Sequence, residues 1–375
     1  MAANDPGTRP TVSVRDVEAT RPRLEAWLAA RLHGDAAPRL SELRRPEGSG
    51  MSSETLLFDA EWTEEGAARR SSLVARLAPV PDAVPVFPRY DMGVQFRLLD
   101  LVRRRTGVPV PTVRWFEPDP GVLGVPFFVM DAVEGRVPAD IPSYNMAGWV
   151  FDATPEERNR LERASVARLA ELHGLEASEE EMAFLQLPAA GDTPLRRHVA
   201  DQIAYYDWTV ADGIRSPLIE RGFRWLEEHW PEEPETVVSW GDSRVGNIVY
   251  QGFEPVALLD WEMAATGPRE LDVGWMIVLH QFFEVIAHRL ELPGLPDFLR
   301  REEVASAYEA SCGRPLRNLE WFETYAALRH GIVMFRIMRR TVHFDEGVMP
   351  DDPEDSIMHR ELIERMLDGT HWSSS

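Results

Sequence analysis

The stretch at residues 239–262, SWGDSRVGNIVYQGFEPVALLDWE, constrains the fold of this chain more than any other. Val237 and Val238 lead into Trp240-Gly241-Asp242, and Asn247 opens the apolar run Ile248, Val249 and Tyr250. A turn at Gly252 precedes a second apolar run over residues 256–259, which ends at Asp260. Short β-rich runs separated by glycine-containing breaks predict strand, tight loop, strand, strand. That order sets Asp242, Asn247 and Asp260 at the ends of short buried strands. Oxygen-bearing side chains on a rigid rim are what a magnesium-bound phosphate needs. The same residues also suit a plain hairpin in which Asp and Asn serve only the turns.

Composition excludes several alternatives. The formal charge of −22 argues against a nucleic-acid partner, which rewards clustered basic surface, and permits a cationic ligand. At 375 residues the chain has ample core for a two-lobed fold or for two to three domains. Its one cysteine, Cys312, excludes an internal disulfide framework, and a reducing, cytoplasmic compartment is expected. The polar N-terminal MAANDPGTRP lacks the apolar core of a signal peptide, and residues 1–14 are expected to be disordered. No apolar run approaches the ~20 residues that span a bilayer. All 40 basic residues are arginine.

The spacing of Asp242, Asn247 and Asp260 resembles the kinase catalytic loop D-x-x-x-x-N followed by the metal-binding Asp of the next hairpin. W-G-D-S-R-V-G-N with L-L-D-W-E after it is most similar to the aminoglycoside phosphotransferase family of small-molecule kinases, over roughly residues 40–340. The resemblance implies an α+β, bilobal, kinase-like fold. Residues 15–131 would form a small lobe of sheet and one packed helix, and residues 132–375 a larger, mostly helical lobe. It further implies transfer of the ATP γ-phosphoryl group to a hydroxyl of a small molecule. In that scheme Asp242 accepts the hydroxyl proton, and Asn247 and Asp260 hold Mg2+. The family pattern opens with His; here that position is Trp240, expected to shape the loop.

Upstream signals extend the resemblance. Residues 46–55, PEGSGMSSET, separate predicted strands over 40–43 and 53–62. Gly48 and Gly50 let a ligand approach the backbone, and Ser49, Ser52 and Ser53 offer hydroxyls to phosphate oxygens. Arg76, on a predicted strand over 71–77, stands where the kinase strand lysine meets the α- and β-phosphates. In a chain without lysine, a planar, always-charged arginine takes that place. A helix is predicted over 88–105. Where the family carries a Glu to pair with the strand cation, this chain has Gln95, with Asp91 one turn earlier as the substitute. The segment PFFVMDAVEG at 126–135 looks like the hinge between lobes, with backbone groups near Asp131 and Val133 meeting the adenine edge.

Beyond the hinge, helical patterning dominates. Thr154-Pro155 with Glu157 predicts a capped helix running to His173. Residues 175–193 are expected to be a loop with a solvated acidic run. Further helices are predicted over 195–212, 216–230, 270–289, 301–311, 319–340 and 357–367. Tyr144, Trp149, Phe151 and Tyr206 are expected on the acceptor side, favouring a less polar acceptor. Glu262 is expected to meet the metal site or the acceptor, and Asp272 to brace the catalytic loop. Two rivals remain: a nucleotide-binding protein with little or no catalysis, suggested by Gln95, and a protein kinase. Asp260-Trp261-Glu262 in place of D-F-G, and no A-P-E segment, favour a small acceptor over a protein.

Overall fold

The structure, a computed structural model, describes residues 15–32, 34–46 and 52–372. They form two compact units, one of residues 15–104 and 110–134, the other of residues 105–109 and 135–372.

The first unit opens with α1 (Val17–Ala29), capped by Asp16, whose carboxylate accepts from the Ala19 N–H. Leu24, Trp27 and Leu28 of α1 are buried. The sheet contains β1 (Arg39–Leu40), β2 (Glu54–Glu64), β3 (Ala67–Leu77), β4 (Val113–Glu117) and β5 (Phe127–Asp131), in the antiparallel order β1-β2-β3-β5-β4. Between β3 and β4 lies α2 (Met92–Arg105), and between β4 and β5 the single turn α3 (Pro120–Leu123). The β2–β3 hairpin is longer than its apolar pattern predicts. Residues 63–70, between the strands predicted over 53–62 and 71–77, continue the ladder through a two-residue turn at Glu65 and Gly66, both with positive φ. That arm is exposed on both faces, so no apolar alternation marks it in the sequence.

The second unit contains α4 (Pro155–His173), α5 (Glu179–Met182), α6 (Pro194–Thr209), α7 (Pro217–Glu228), β6 (Thr236–Ser239), β7 (Ile248–Gln251), β8 (Glu254–Leu258), β9 (Ala265–Pro268), α8 (Glu270–Arg289), α9 (Arg301–Cys312), α10 (Leu319–His343) and α11 (Arg360–Leu367). β6 pairs with β9 and β7 with β8. The capping box of Thr154 and Glu157 starts α4 as its sequence predicts. The acidic run at 179–181, expected as loop, is instead the helical turn α5, because Ser178 and Glu181 form a second capping box.

α8 is the central element. Every residue from Glu270 to His280 is buried, so the helix is enclosed on all faces and carries no polar stripe. It packs on α10 closely enough that a Cβ on Gly274 would lie 3.0 Å from the Phe322 backbone. Each large apolar side chain enclosed there contributes roughly 1.5–3 kcal/mol. The first turns of α8 sit directly behind the loop that follows β6. Among the described residues no helix is long and apolar enough to cross a membrane.

Candidate active site

β6 ends at Ser239 and delivers the chain into a loop held from behind by Asp272. The Asp272 carboxylate accepts from Ser239 Oγ at 3.0 Å, from the Trp240 N–H at 2.7 Å and from the Gly241 N–H at 2.8 Å. It also lies 2.9 Å from His173 Nε2, and Ser243 Oγ donates to the Asp272 carbonyl at 2.7 Å. Burial alone would push this carboxyl up; the bond from His173 and those from the two backbone N–H groups hold it below the usual range. Gly241 has φ +90°, and a Cβ there would meet the Met263 carbonyl oxygen at 2.2 Å, so only glycine fits. The loop geometry is therefore set by α8.

Within the loop, Asp242 is bonded at both oxygens. Oδ1 accepts from Trp275 Nε1 at 2.7 Å, and Oδ2 accepts from Asn247 Nδ2 at 2.7 Å and from Arg244 Nε at 3.3 Å. Arg244 also donates from Nη1 to Asp140 Oδ1 at 2.6 Å. Burial lowers the Arg244 pKa, but the Asp140 and Asp242 charges, with Asp260 adding to them, carry it above its usual value. The guanidinium thus stays charged and balances three neighbouring carboxylates. It lies across Gly246, where a Cβ would come within 2.4 Å of Nη1.

The β7–β8 hairpin brings the remaining groups to one end. Ile248 opposes Leu258, and the Leu259 N–H donates to the Asn247 carbonyl at 2.8 Å. Asp260 is the next residue, in the left-handed region at φ +57°. Trp240 ties this end to the loop: its indole donates to the Leu259 carbonyl at 2.8 Å, and its ring packs on Trp261. The expectation that this residue shapes the loop has that physical basis. Glu262 is half-buried in the turn that follows.

The donor chemistry fits a magnesium ion. Asn247 donates both amide hydrogens to Asp242, one to the carbonyl at 3.0 Å and one to Oδ2, which leaves its Oδ1 as the atom it would offer a cation. Asp260 adds a carboxylate, and hard oxygen donors suit this cation. Among the described residues no group of three His, Cys, Asp or Glu side chains gathers as a metal site, so the candidate rests on this amide–carboxylate pair.

In the first unit, Arg76 is half-buried and donates from Nη1 to Thr55 Oγ1 at 2.9 Å. Ser52 Oγ lies 3.3 Å from Tyr90 Oη, and Ser53 Oγ is enclosed with no hydrogen-bond partner among the described residues. Gly48, Ser49 and Gly50 lie outside the described residues, as do residues 1–14. Gln95 is buried, and its Nε2 is enclosed with no hydrogen-bond partner among the described residues. Asp91 Oδ1 accepts from the Val94 N–H and caps α2. The Asp131 carboxylate grips Arg114 at 2.7 and 2.9 Å, and its N–H donates to the Thr112 carbonyl. The Ala132 N–H donates to Ser72, whereas the Val133 N–H makes no backbone bond among the described residues.

Tyr144 and Tyr206, expected on the acceptor side, are core residues, 3% and 1% exposed. Tyr144 Oη bonds His280 Nδ1 at 2.9 Å, and Tyr206 Oη accepts from the Ser216 N–H at 2.8 Å at the start of α7. Large aromatics with a satisfied hydroxyl favour the interior, and helical spacing does not distinguish the two settings. The sequence missed Asp140, Arg244 and Trp275. Arg244 lies inside the motif, and its charge between Asp242 and Asn247 was the available signal; Asp140 and Trp275 carry none locally.

An Arabidopsis thaliana protein named as a probable acyl-CoA dehydrogenase is 27% identical over 290 residues, covering 73% of this chain and 34% of that protein. The chain spans about a quarter to a third of the length of the curated relatives it matches. A solved Ralstonia eutropha protein assigned to the aminoglycoside phosphotransferases superposes with a TM-score of 0.61 at 22% identity, over 92% of this chain and 96% of that one. A mutant of aminoglycoside phosphotransferase APH(4)-Ia, in a ternary complex with AMP-PNP and hygromycin B, superposes with a TM-score of 0.52 at 14% identity, over 92% and 98%. These likenesses establish a kinase-like α+β fold. The model of the phosphotransferase enzyme family (APH) matches residues 52–310, and the chain belongs to that family.

Proposed function

We propose that this chain transfers the γ-phosphoryl group of ATP to a hydroxyl of a small molecule. The observation that carries the reading is the Asp242 carboxylate, fixed by Trp275, Asn247 and Arg244, with Asp260 near enough for its charge to act on the same Arg244. As the new O–P bond forms and the bond from the γ-phosphorus to the bridging oxygen breaks, Asp242 receives the hydroxyl proton and ADP leaves. Asn247 and Asp260 would hold Mg2+, which supplies charge neutralisation at the phosphates when bound. Arg244, already charged and bordering this group, faces the same developing charge. Arg76 and the residues at 48–53 are assigned to the nucleotide phosphates. The Val133 N–H and the Asp131 carbonyl are assigned to the adenine edge. Little covalent chemistry is asked of the protein; positioning and electrostatics suffice.

The acceptor is proposed to carry its hydroxyl on an acyl chain. The support is that the matched segment occurs in longer proteins named for acyl-CoA dehydrogenation. A second reading, a nucleotide-binding protein with little turnover, is favoured by Gln95, which offers Arg76 no carboxylate. Mg-ATP turnover across sugars, amino alcohols and hydroxyacyl compounds separates the two. Asp260→Ala is expected to weaken Mg-ATP binding tenfold or more, roughly the loss of one charged ligand contact. Calorimetry showing unaltered affinity would remove Asp260 from the metal site.

A further inference from the structure

Asp242 is oriented from two sides, and one of them lies outside its own loop. Asn247 and Arg244 reach Oδ2 from within the loop, whereas Trp275 reaches Oδ1 from α8 at 2.7 Å. A carboxylate bonded at a single oxygen can still turn about its terminal torsion, which is broad. Donors at both oxygens remove that freedom. Arg244 Nε lies 3.3 Å from Oδ1 as well as Oδ2, and of the roughly four lone-pair sites on a carboxylate these bonds leave about one for an incoming hydroxyl. Trp275 lies three residues after Asp272, so both project from one side of α8 toward the loop. Asp272 holds the loop's backbone; Trp275 holds the side chain of Asp242.

The indole is itself held. The Arg329 guanidinium carbon lies 4.5 Å from the Trp275 ring centroid, and His330 meets the ring edge-on at 6.0 Å. Arg329 is 2% exposed, its Nε has no hydrogen-bond partner, and it forms no ion pair among the described residues. Its polar contact is a bond from Nη2 to the Gly241 carbonyl at 3.4 Å. A guanidinium buried with so little compensation is costly. What it touches is the catalytic loop and the ring that orients Asp242.

We propose that Trp275 is a positioning residue for phosphoryl transfer, fixing the Asp242 carboxylate so that its open lone pair stays turned toward the acceptor hydroxyl, with Arg329 holding the indole in place. The proposal rests on the reading of Asp242 as the proton acceptor. An ordinary core tryptophan would tolerate Trp275→Phe, which keeps the ring face for Arg329 and removes only the N–H donor.

The test uses Mg-ATP with water as acceptor, followed by phosphate release, and Mg-AMP-PNP binding by calorimetry. In Trp275→Phe the KM for ATP and the Kd for Mg-AMP-PNP are expected to stay within twofold of wild type, while turnover falls about tenfold or more. The double variant Trp275→Phe/Asp242→Asn should be no slower than Asp242→Asn alone, because both changes disable one oriented group. Turnover of Trp275→Phe within twofold of wild type, or losses that multiply in the double variant, overturns the proposal. For a Phe variant that does not fold, the Trp275 indole N–H resonance gives a second readout: it should shift in Asp242→Asn, and an unmoved resonance overturns the proposal. A wild-type chain that neither binds Mg-AMP-PNP nor releases phosphate removes the phosphotransfer reading and this role together. A wild-type chain that does both, with Trp275→Phe unaffected, removes the role alone.

Discussion

The start of α9 is gripped by two buried carboxyl groups, and one of them gives a stability prediction with a definite sign. Glu162 of α4 accepts the Leu299 N–H at 2.6 Å, and Glu323 of α10 accepts Arg301 Nε at 2.6 Å. Glu162 is 2% exposed. Burial, partly offset by the Leu299 N–H and reinforced by the Glu303 charge, pushes its carboxyl up to about 7. Against the ordinary 4.5, the difference is worth about 3 kcal/mol. The folded protein keeps this proton until pH about 7, whereas the unfolded chain releases it near 4.5. Folding therefore takes up a proton across that window, and stability falls as pH rises through it; the contribution is whole below 4.5 and gone above about 7. Glu162→Gln is neutral at every pH and keeps an acceptor for Leu299. Its stability advantage over wild type is expected to grow by about 2 kcal/mol between pH 5.5 and 8. Urea unfolding followed by tryptophan fluorescence at both pH values measures this. An advantage equal at the two pH values would refute the assignment of a raised carboxyl to Glu162.

Two further changes test the proposed roles of Gly241 and Val133. Gly241→Ala places a Cβ 2.2 Å from the Met263 carbonyl oxygen in a left-handed backbone; it is expected to cost at least roughly 1–3 kcal/mol in urea unfolding and to abolish turnover. Val133→Pro removes the one N–H assigned to the adenine edge; Mg-ATP affinity should fall roughly tenfold by calorimetry with unchanged far-UV circular dichroism.

What was legible in the sequence was local. The order Asp242, Asn247, turn, Asp260 is written in a single hairpin, so the spacing alone put 247 and 260 at one end of β7–β8. The cap of α4 was legible because Thr154 and Glu157 lie three residues apart. The supports of the loop were not, because they cross long stretches of chain. Arg244 meets Asp140 from 104 positions away, Asp272 meets His173 from 99, and Trp275 meets Asp242 from 33. Nothing in the residues flanking Asp140 or Trp275 announces a partner. The aromatic residues misled for a related reason. Tyr144 and Tyr206 have the composition of a ligand-facing surface, yet His280 and the α7 start satisfy their hydroxyls inside the fold. The far arm of the β2–β3 hairpin was invisible because strand pairing there buries nothing.

The central claim is that Asp242 receives a proton during phosphoryl transfer and does not hold the nucleotide. Asp242→Ala, assayed by Mg-AMP-PNP calorimetry and by phosphate transfer from ATP, tests it most directly. Binding within a few-fold of wild type with transfer lost by about a hundredfold or more is the predicted result. Unchanged transfer in that variant, or binding lost in step with transfer, would contradict it.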